Sequence, residues 1–187
     1  MKVLLLNGSR REKGCTYTAL SIVAEALEKN GIETEILHAL PTAESVSAVA
    51  EKLKTAEGVV FGSPVYWASP SGEMVWFLDH LAGKAGALLA HKAGAVVASA
   101  RRAGTTATLD VLQKYVAYHQ MVSVSSNYWT MVHGNTPDEV RRDEEGVQIM
   151  RVLGENMAWV MKCLEAGKKA GIEPPATEKK IMTNFIR

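Results

Sequence analysis

Cysteine is scarce in this sequence, and charge of neither sign dominates it. The 187 residues include two cysteines, Cys15 and Cys163, which are too few for a disulfide framework or a four-cysteine metal site. The 21 lysines and arginines nearly balance the 20 acidic residues, leaving a formal net charge of +1. The composition therefore excludes a disulfide-rich secreted scaffold and gives no electrostatic argument for binding nucleic acid or an anionic membrane.

Long hydrophobic runs and the common nucleotide-binding motifs are missing as well. The opening apolar run, Val3 to Leu6, is far shorter than the core of a signal peptide, and no stretch approaches the length of a membrane span. Neither GxGxxG nor GxxxxGK occurs, so neither a classical dinucleotide-binding fold nor a nucleoside triphosphatase is indicated. We expect a cytoplasmic protein without a membrane or nucleic-acid partner.

The hydrophobic pattern alternates between short apolar runs and stretches with helical spacing. Such alternation predicts an α/β protein with a parallel sheet and helices on both faces. The commonest five-stranded solution is the flavodoxin-like, doubly wound sheet with strand order 2-1-3-4-5. The predicted strands are 3–6, 32–40, 58–62, 93–99 and 121–125, and the predicted helices are 16–30, 44–55, 71–82, 106–118 and 144–166.

A C-terminal extension, residues 128–187, follows the five strands within one domain that spans residues 1–187. Its long helix has an apolar stripe close to a heptad seam. Two interpretations are open and compatible: the stripe packs against its own sheet, or it forms part of a subunit interface. We expect a homodimer or a homotetramer, and the sequence does not decide between them.

Ligands of open parallel sheets bind beyond the carboxyl ends of the strands, which directs attention to three loops. The first, residues 7–18, has two glycines, several hydroxyl side chains, Arg11 and a helix N-terminus, which together suit a phosphate group. Residues 62–72, the second loop, place Tyr66 and Trp67 where loops are normally polar. The third, residues 99–106, combines Arg101 and Arg102 with small side chains. An anion site, an aromatic wall and close backbone donors are what flavin mononucleotide (FMN) requires.

The same segments resemble a known family. NGSRREKGCT and SPVYWASPSGEMVWFLDH, with GVQIMRVLGENMAW and TNFIR near the end, resemble the NADPH-dependent FMN reductases among the flavodoxin-like flavoproteins. The branch that is most similar is the one related to iron–sulfur flavoproteins. The resemblance implies bound FMN, with NADPH or NADH as co-substrate and a small molecule as electron acceptor.

The resemblance also implies roles for individual residues, and it implies that the flavin rather than a protein side chain performs the chemistry. The FMN phosphate would be held by Ser9, Arg11, Cys15, Thr16 and Tyr17. The ring and ribityl chain would be lined by Pro64, Val65, Tyr66 and Trp67. The pyrimidine side would be approached by the segment from Ser99 to Gly104, which includes Ala100 and Arg101.

Three features depart from the family's usual pattern. Arg10 stands where proline is usual, Cys15 stands where serine or asparagine is usual, and residues 100–103 replace most of a glycine-rich stretch. Because the chain has only two cysteines, a four-cysteine iron–sulfur cluster within one chain is not possible.

The function expected from these observations is an oxidoreductase that takes hydride from NAD(P)H and reduces a quinone, a flavin or another small acceptor. The alternative is an electron carrier of the flavodoxin type, although such carriers usually have strongly acidic surfaces. A phosphoacceptor receiver domain would need carboxylates after strands one and three, where Asn7-Gly8 and Ser63-Pro64 stand instead. Tyr128 and His133 could reach a substrate, and the sequence does not decide whether they do.

Overall fold

The computed structural model describes residues 1–176, 178–183 and 185 and is built around a mostly parallel sheet. The order along the sheet is β2-β1-β3-β5-β6; β4 pairs antiparallel with β3, and β7 pairs parallel with β5. The predicted order 2-1-3-4-5 is confirmed. It numbers only the five strands of this path, so its fourth and fifth strands are β5 and β6. The strands are β1 (Lys2–Asn7), β2 (Glu33–His38), β3 (Gly58–Tyr66), β4 (Ser69–Pro70), β5 (Ala93–Ala100), β6 (Val122–Ser123) and β7 (Met131–His133).

Helices cover both faces of the sheet, as the alternating pattern predicts. The apolar side chains of β1 point alternately to the two faces, so Val3 and Leu5 belong to one core cluster and Leu4 and Leu6 to the other. The first cluster contains α1 and α6, and the second contains α2, α3 and α4. The helices are α1 (Cys15–Lys29), α2 (Ala43–Leu53), α3 (Gly72–Ala85), α4 (Thr105–Tyr118), α5 (Pro137–Arg142) and α6 (Glu144–Lys169), with a 3₁₀ turn at Gly86–Leu89.

The long C-terminal helix α6 packs against its own sheet and against α1. Met150, Leu153 and Met157 along its stripe are fully buried. A close approach between the two helices occurs at Gly154, where a Cβ atom would lie 2.6 Å from the Cβ of Ala26. Most of the apolar stripe of α6 is therefore buried within the protein itself. None of the helices within the described residues is long and apolar enough to cross a bilayer.

Residues 127–142, for which the hydrophobic pattern predicts neither a strand nor a helix, contain regular structure. The chain pairs with β5 only at Val122–Ser123, leaves the edge of the sheet, and returns as β7 beside the end of β5. Helix α5 then begins at Pro137. Strand β7 has only three residues and pairs with β5, some thirty residues earlier. A segment this short shows no periodicity from which a strand could be predicted.

Candidate functional site

The three loops singled out in the sequence meet at one edge of the sheet and contact one another directly. The first and second loops are joined by a hydrogen bond from the Gly8 amide to the Gly62 carbonyl, 2.8 Å. The first loop and β5 are joined by the hydroxyl groups of Thr16 and Ser99, whose oxygen atoms are 2.7 Å apart. The structure therefore brings together the walls that the sequence predicts separately.

The first loop is shaped by its own side chains. The Asn7 carboxamide accepts a hydrogen bond from the Ser9 amide (3.1 Å) and donates one to the Glu12 carbonyl (2.8 Å). The hydroxyl group of Ser9 accepts one from the Arg11 amide (3.2 Å), and the His38 ring lies 2.6 Å from the Ser9 carbonyl oxygen. These contacts fix the path of the chain before any ligand binds.

Helix α1 begins in this loop without a capping side chain. Its N-cap is Gly14, and its first turn contains no acidic residue, so no side chain within the described residues caps the amides of Cys15, Thr16 and Tyr17. The same is true of α4, whose N-cap is Gly104. Helices α2, α3, α5 and α6 instead have a side-chain cap and at least one acidic residue in the first turn. Of the six α-helices in the described part of the chain, two thus start with free amides, and both lie at the candidate site because they follow the ends of β1 and β5.

Arg11 lies over the start of α1. A Cβ atom on Gly14 would lie 3.1 Å from the Cβ of Arg11 and 3.5 Å from its Nε. No carboxylate within the described residues forms an ion pair with Arg11. A cation beside the positive end of a helix dipole is an unfavourable pairing unless an anion is placed between them. The geometry fits a phosphate group at this point.

The other predicted phosphate residues have protein partners for their side chains. Ser9 and Thr16 are buried and use their hydroxyl groups within the protein, as described above. Cys15 is buried, with Sγ 3.5 Å from the Gly134 carbonyl oxygen; burial raises the pKa of its thiol, and the nearby Arg11 charge partly opposes this shift. Tyr17 is half-buried. The Arg11 guanidinium group and the amides of the first helical turn therefore remain available to an anion.

The second wall is a tight hairpin at the end of β3. Val65 pairs with Pro70 and Tyr66 with Ser69, so two residues, Trp67 and Ala68, make the turn. Both adopt left-handed backbone conformations, with φ of 53° and 55°, as a type I′ turn requires. Non-glycine residues in this region cost about 1–2 kcal/mol each.

Exposure differs along this hairpin. Pro64, Val65 and Tyr66 are half-buried, whereas the side chain of Trp67 is fully exposed (101%). The strained turn therefore presents an indole to solvent, where a planar ligand could cover it.

The third wall follows β5 and touches the second. Ser99 and Ala100 are buried at the end of the strand, whereas Arg101 and Arg102 are exposed. Gly104 has φ of 93°, and a Cβ atom there would lie 2.7 Å from the Cα of Ala68. The close contact between the two turns depends on the absence of a side chain at Gly104.

His133 and Tyr128 occupy different places near this wall. His133 ends β7; its Nε2 lies 3.1 Å from the Arg102 carbonyl oxygen, and its amide donates a hydrogen bond to Asp143 (2.6 Å). It therefore supports the turn that contains Arg102. Tyr128 is half-exposed between β6 and β7, with its ring edge-to-face against Trp129 at 4.8 Å. No metal-ligating cluster of three or more His, Cys, Asp or Glu occurs within the described residues.

Comparison with known proteins agrees with this architecture. The family model described as NADPH-dependent FMN reductase matches residues 1–136. The chain belongs to this family. The match spans all three walls of the site and ends before α5, so helix α6 lies beyond it. Membership makes the protein a flavin oxidoreductase in general terms and confirms the resemblance found in the sequence.

Individual relatives are more distant. An iron-sulfur flavoprotein of Methanocaldococcus jannaschii is 27% identical over 192 residues, covering 88% of this chain and all of the relative. A flavodoxin-like, WrbA-like protein from Agrobacterium tumefaciens has a TM-score of 0.67 at 20% identity, covering 87% of this chain and 97% of that one. RosB, solved with bound 8-demethyl-8-formylriboflavin-5′-phosphate, has a TM-score of 0.71 at 15% identity, covering 99% and 92%. The structural likenesses confirm the flavodoxin-like fold.

Sequence reasoning missed several residues that build the site. Asn7 and His38 hold the first loop, and Ser71 both caps α3 and donates a hydrogen bond to the Gly8 carbonyl (2.6 Å). Gly8 itself has no room for a side chain, because a Cβ atom would lie 2.6 Å from the Cβ of Met74. Asn7 has a usable sequence signal, since Asn-Gly after a buried strand favours a turn stabilised by the asparagine side chain.

Proposed function

We propose that this protein is an FMN-dependent oxidoreductase that takes hydride from NADPH or NADH and reduces a quinone, a flavin or another small acceptor. The observation that supports this most strongly is the arrangement around α1, where an uncapped helix start lies under an arginine that has no carboxylate partner within the described residues. Family membership supplies the cofactor class.

The FMN phosphate would bind at the start of α1. Arg11 would provide a charge-assisted contact, and the amides of Cys15, Thr16 and Tyr17 would donate hydrogen bonds along the helix dipole. The hydroxyl groups of Ser9 and Thr16, which already have protein partners, would shape the cradle around the phosphate.

The flavin ring would lie against the second and third walls. Pro64, Val65, Tyr66 and Trp67 would flank the ring and the ribityl chain, and the exposed indole of Trp67 would become covered. Ser99, Ala100, Arg101 and Gly104 would approach the pyrimidine edge, where Arg101 and backbone amides would stabilise negative charge. The bound flavin supplies the hydride- and electron-transfer chemistry, and the protein supplies position and electrostatics.

An anaerobic absorption experiment tests this function. The purified protein is expected to show a bound-flavin spectrum, on isolation or after loading with FMN, that bleaches when NADPH or NADH is added. A flavin spectrum that persists with both nucleotides would favour the electron-carrier alternative. A protein that remains colourless after incubation with FMN would contradict the cofactor assignment itself.

We propose in addition that the C-terminal extension, residues 128–187, takes part in a subunit interface. A cavity of about 700 Å³ between α6, β6 and residues 172–175 is lined by apolar groups that include Trp159 and Leu164, which are 68% and 42% exposed. Farther along the extension, the described residues Ile181, Met182 and Phe185 are exposed as well. An exposed apolar surface of this kind is typical of an interface.

Light scattering after size exclusion tests the interface. Wild-type protein is expected to have the mass of a dimer or tetramer of the 20.3 kDa chain, and the double variant Trp159→Glu/Leu164→Glu is expected to be monomeric. Leu88→Glu is the matched control, because Leu88 is similarly exposed (37%) but lies outside the extension. A monomeric wild-type protein would contradict this proposal.

A further inference from the structure

The adjacent arginines of the first loop have different surroundings. Arg10 Nε lies 2.5 Å from Oε1 of Glu73, and the centre of the Arg10 guanidinium group lies 5.6 Å from the centroid of the Tyr66 ring. Arg11 forms no ion pair within the described residues and lies over Gly14 instead. The guanidinium group of Arg10 is thus engaged by the second wall, whereas that of Arg11 is available to a ligand.

Arg10 connects two elements that are far apart in sequence. Tyr66 is the last residue of β3 and belongs to the hairpin that contains Trp67, and Glu73 lies in the first turn of α3, just after that hairpin. The pair between Arg10 and Glu73 spans 63 residues of sequence. Arg10 therefore links the first loop to Tyr66 of the second wall and to Glu73 of α3.

The hairpin is short and its turn is strained. It is closed by two residue pairs only, and both turn residues are strained. A guanidinium group over the Tyr66 ring adds a cation–π contact.

The carboxylate of Glu73 is well suited to hold the arginine. The side chain of Glu73 is 24% exposed. Hydrogen bonds from its own backbone amide and from Arg10 hold the pKa of the carboxyl group below its usual range. Its second oxygen, Oε2, is buried without a hydrogen-bond partner among the described residues. Loss of Arg10 would leave this carboxylate without its cation.

We propose, on the basis of the proposed FMN site, that Arg10 is a positioning residue that holds the Tyr66–Trp67 hairpin against the phosphate loop. It thereby sets the affinity for the flavin ring, whereas Arg11 sets the affinity for the phosphate.

Paired titrations with FMN and riboflavin separate these roles, because riboflavin has the ring and ribityl chain but no phosphate. Apoprotein is titrated with each ligand, and flavin fluorescence reports the dissociation constant. Arg11→Gln is expected to weaken FMN binding about tenfold or more, which is 1.4 kcal/mol or more, and to leave riboflavin binding unchanged. Arg10→Gln is expected to weaken both ligands by the same factor, about three- to tenfold, so that their ratio stays at the wild-type value.

Further variants distinguish loss of the Arg10–Glu73 pair from a general effect of removing an arginine. Glu73→Gln is expected to weaken both ligands by equal factors, as Arg10→Gln does, and the double variant is expected to be no worse than Arg10→Gln alone, since Arg10→Gln already removes the ion pair. Arg10→Lys is expected to recover part of the affinity, because lysine keeps a cation for Glu73 and Tyr66 but lacks the planar guanidinium group. The matched control is Arg151→Gln, which breaks an exposed arginine–glutamate pair on α6 and should change neither dissociation constant.

The outcomes are distinct. If Arg10→Gln weakens FMN alone, Arg10 binds the phosphate and the positioning role is overturned. If it changes neither ligand while Arg11→Gln acts as expected, the bridge has no role in binding and the inference fails although the FMN site stands. If wild-type protein binds neither flavin, the proposed function and this inference fail together.

Discussion

Replacement of Gly104 by alanine tests whether the contact between the two exposed turns is as tight as the structure indicates. The φ of Gly104 is 93°, and an added Cβ atom would lie 2.7 Å from the Cα of Ala68 and 2.8 Å from Cγ1 of Val65. The nearer neighbour is backbone, so a side-chain rotation alone cannot make room. The alanine must therefore displace either the Trp67–Ala68 turn or the start of α4.

The expected cost has two parts. A left-handed conformation costs an alanine about 1–2 kcal/mol, and forcing a methyl group into an occupied position costs about 1–3 kcal/mol more. The sum is about 2–5 kcal/mol of unfolding free energy. A chain of 187 residues loses roughly 2–4 °C of melting temperature per kcal/mol, so a decrease on the order of 10 °C is expected.

Two other glycines serve as controls for the separate parts. Gly31 has φ of 77° and open space around its would-be Cβ, so Gly31→Ala should show the conformational cost alone. Gly83 lies inside α3, also with open space, and Gly83→Ala should stabilise by about 0.5–1 kcal/mol. Urea unfolding of the apoproteins, followed by circular dichroism, measures all three without stabilisation from bound ligand. A loss at Gly104 no larger than that at Gly31 would refute the steric argument.

Three further predictions concern the site and its surroundings. Thr16→Val should lower the free energy of unfolding by about 1–3 kcal/mol, because it leaves the buried Ser99 hydroxyl group unpaired. In urea unfolding, the double variant Thr16→Val/Ser99→Ala should lose less free energy than the two single variants together. Burial lowers the pKa of His119 below its ordinary 6.5. The unfolded chain therefore binds the proton more tightly, and stability should fall as pH decreases through 6.5; His119→Gln should show a smaller decrease, and an unchanged pH dependence would contradict the assignment. Trp67→Gly should raise unfolding free energy by about 1 kcal/mol through relief of the left-handed strain, yet weaken flavin binding; unimpaired binding would show that the indole is not part of the wall.

The long elements were predictable because burial leaves a periodic record in the sequence. Helix α6 was expected at 144–166 and spans Glu144–Lys169, and the strand expected at 93–99 is Ala93–Ala100. Strand β7 was not predictable in this way, since three residues cannot display a period and their partner is β5. Helix α5 did have a local signal that was overlooked: Thr136 caps the amide of Glu139, three residues later, and Pro137 lies at the first helical position.

The convergence of the three loops at the candidate site was predictable, but the contacts of individual side chains were not. Loops that follow parallel strands must emerge at one edge, so the convergence of the three walls follows from topology. Whether a hydroxyl group faces a ligand or a neighbour depends on contacts between distant segments. Thr16 illustrates the limit, because its hydroxyl group lies against Ser99, 83 residues later. Arg10 illustrates it again, since only the fold reveals that Glu73 and Tyr66 flank it.

The capping pattern connects the fold with the site. Three helices, α1, α3 and α4, follow the three walls and begin at the same edge. Ser71 caps α3, and its hydroxyl group also holds the Gly8 carbonyl, so this helix start is used to build the loop. Helices α1 and α4 begin at glycines that offer no side-chain oxygen, and each leaves its first amides directed beyond the sheet. A ligand with one anionic end and one polar ring edge would satisfy both sets of amides, which is why the uncapped starts favour a flavin nucleotide over an isolated anion.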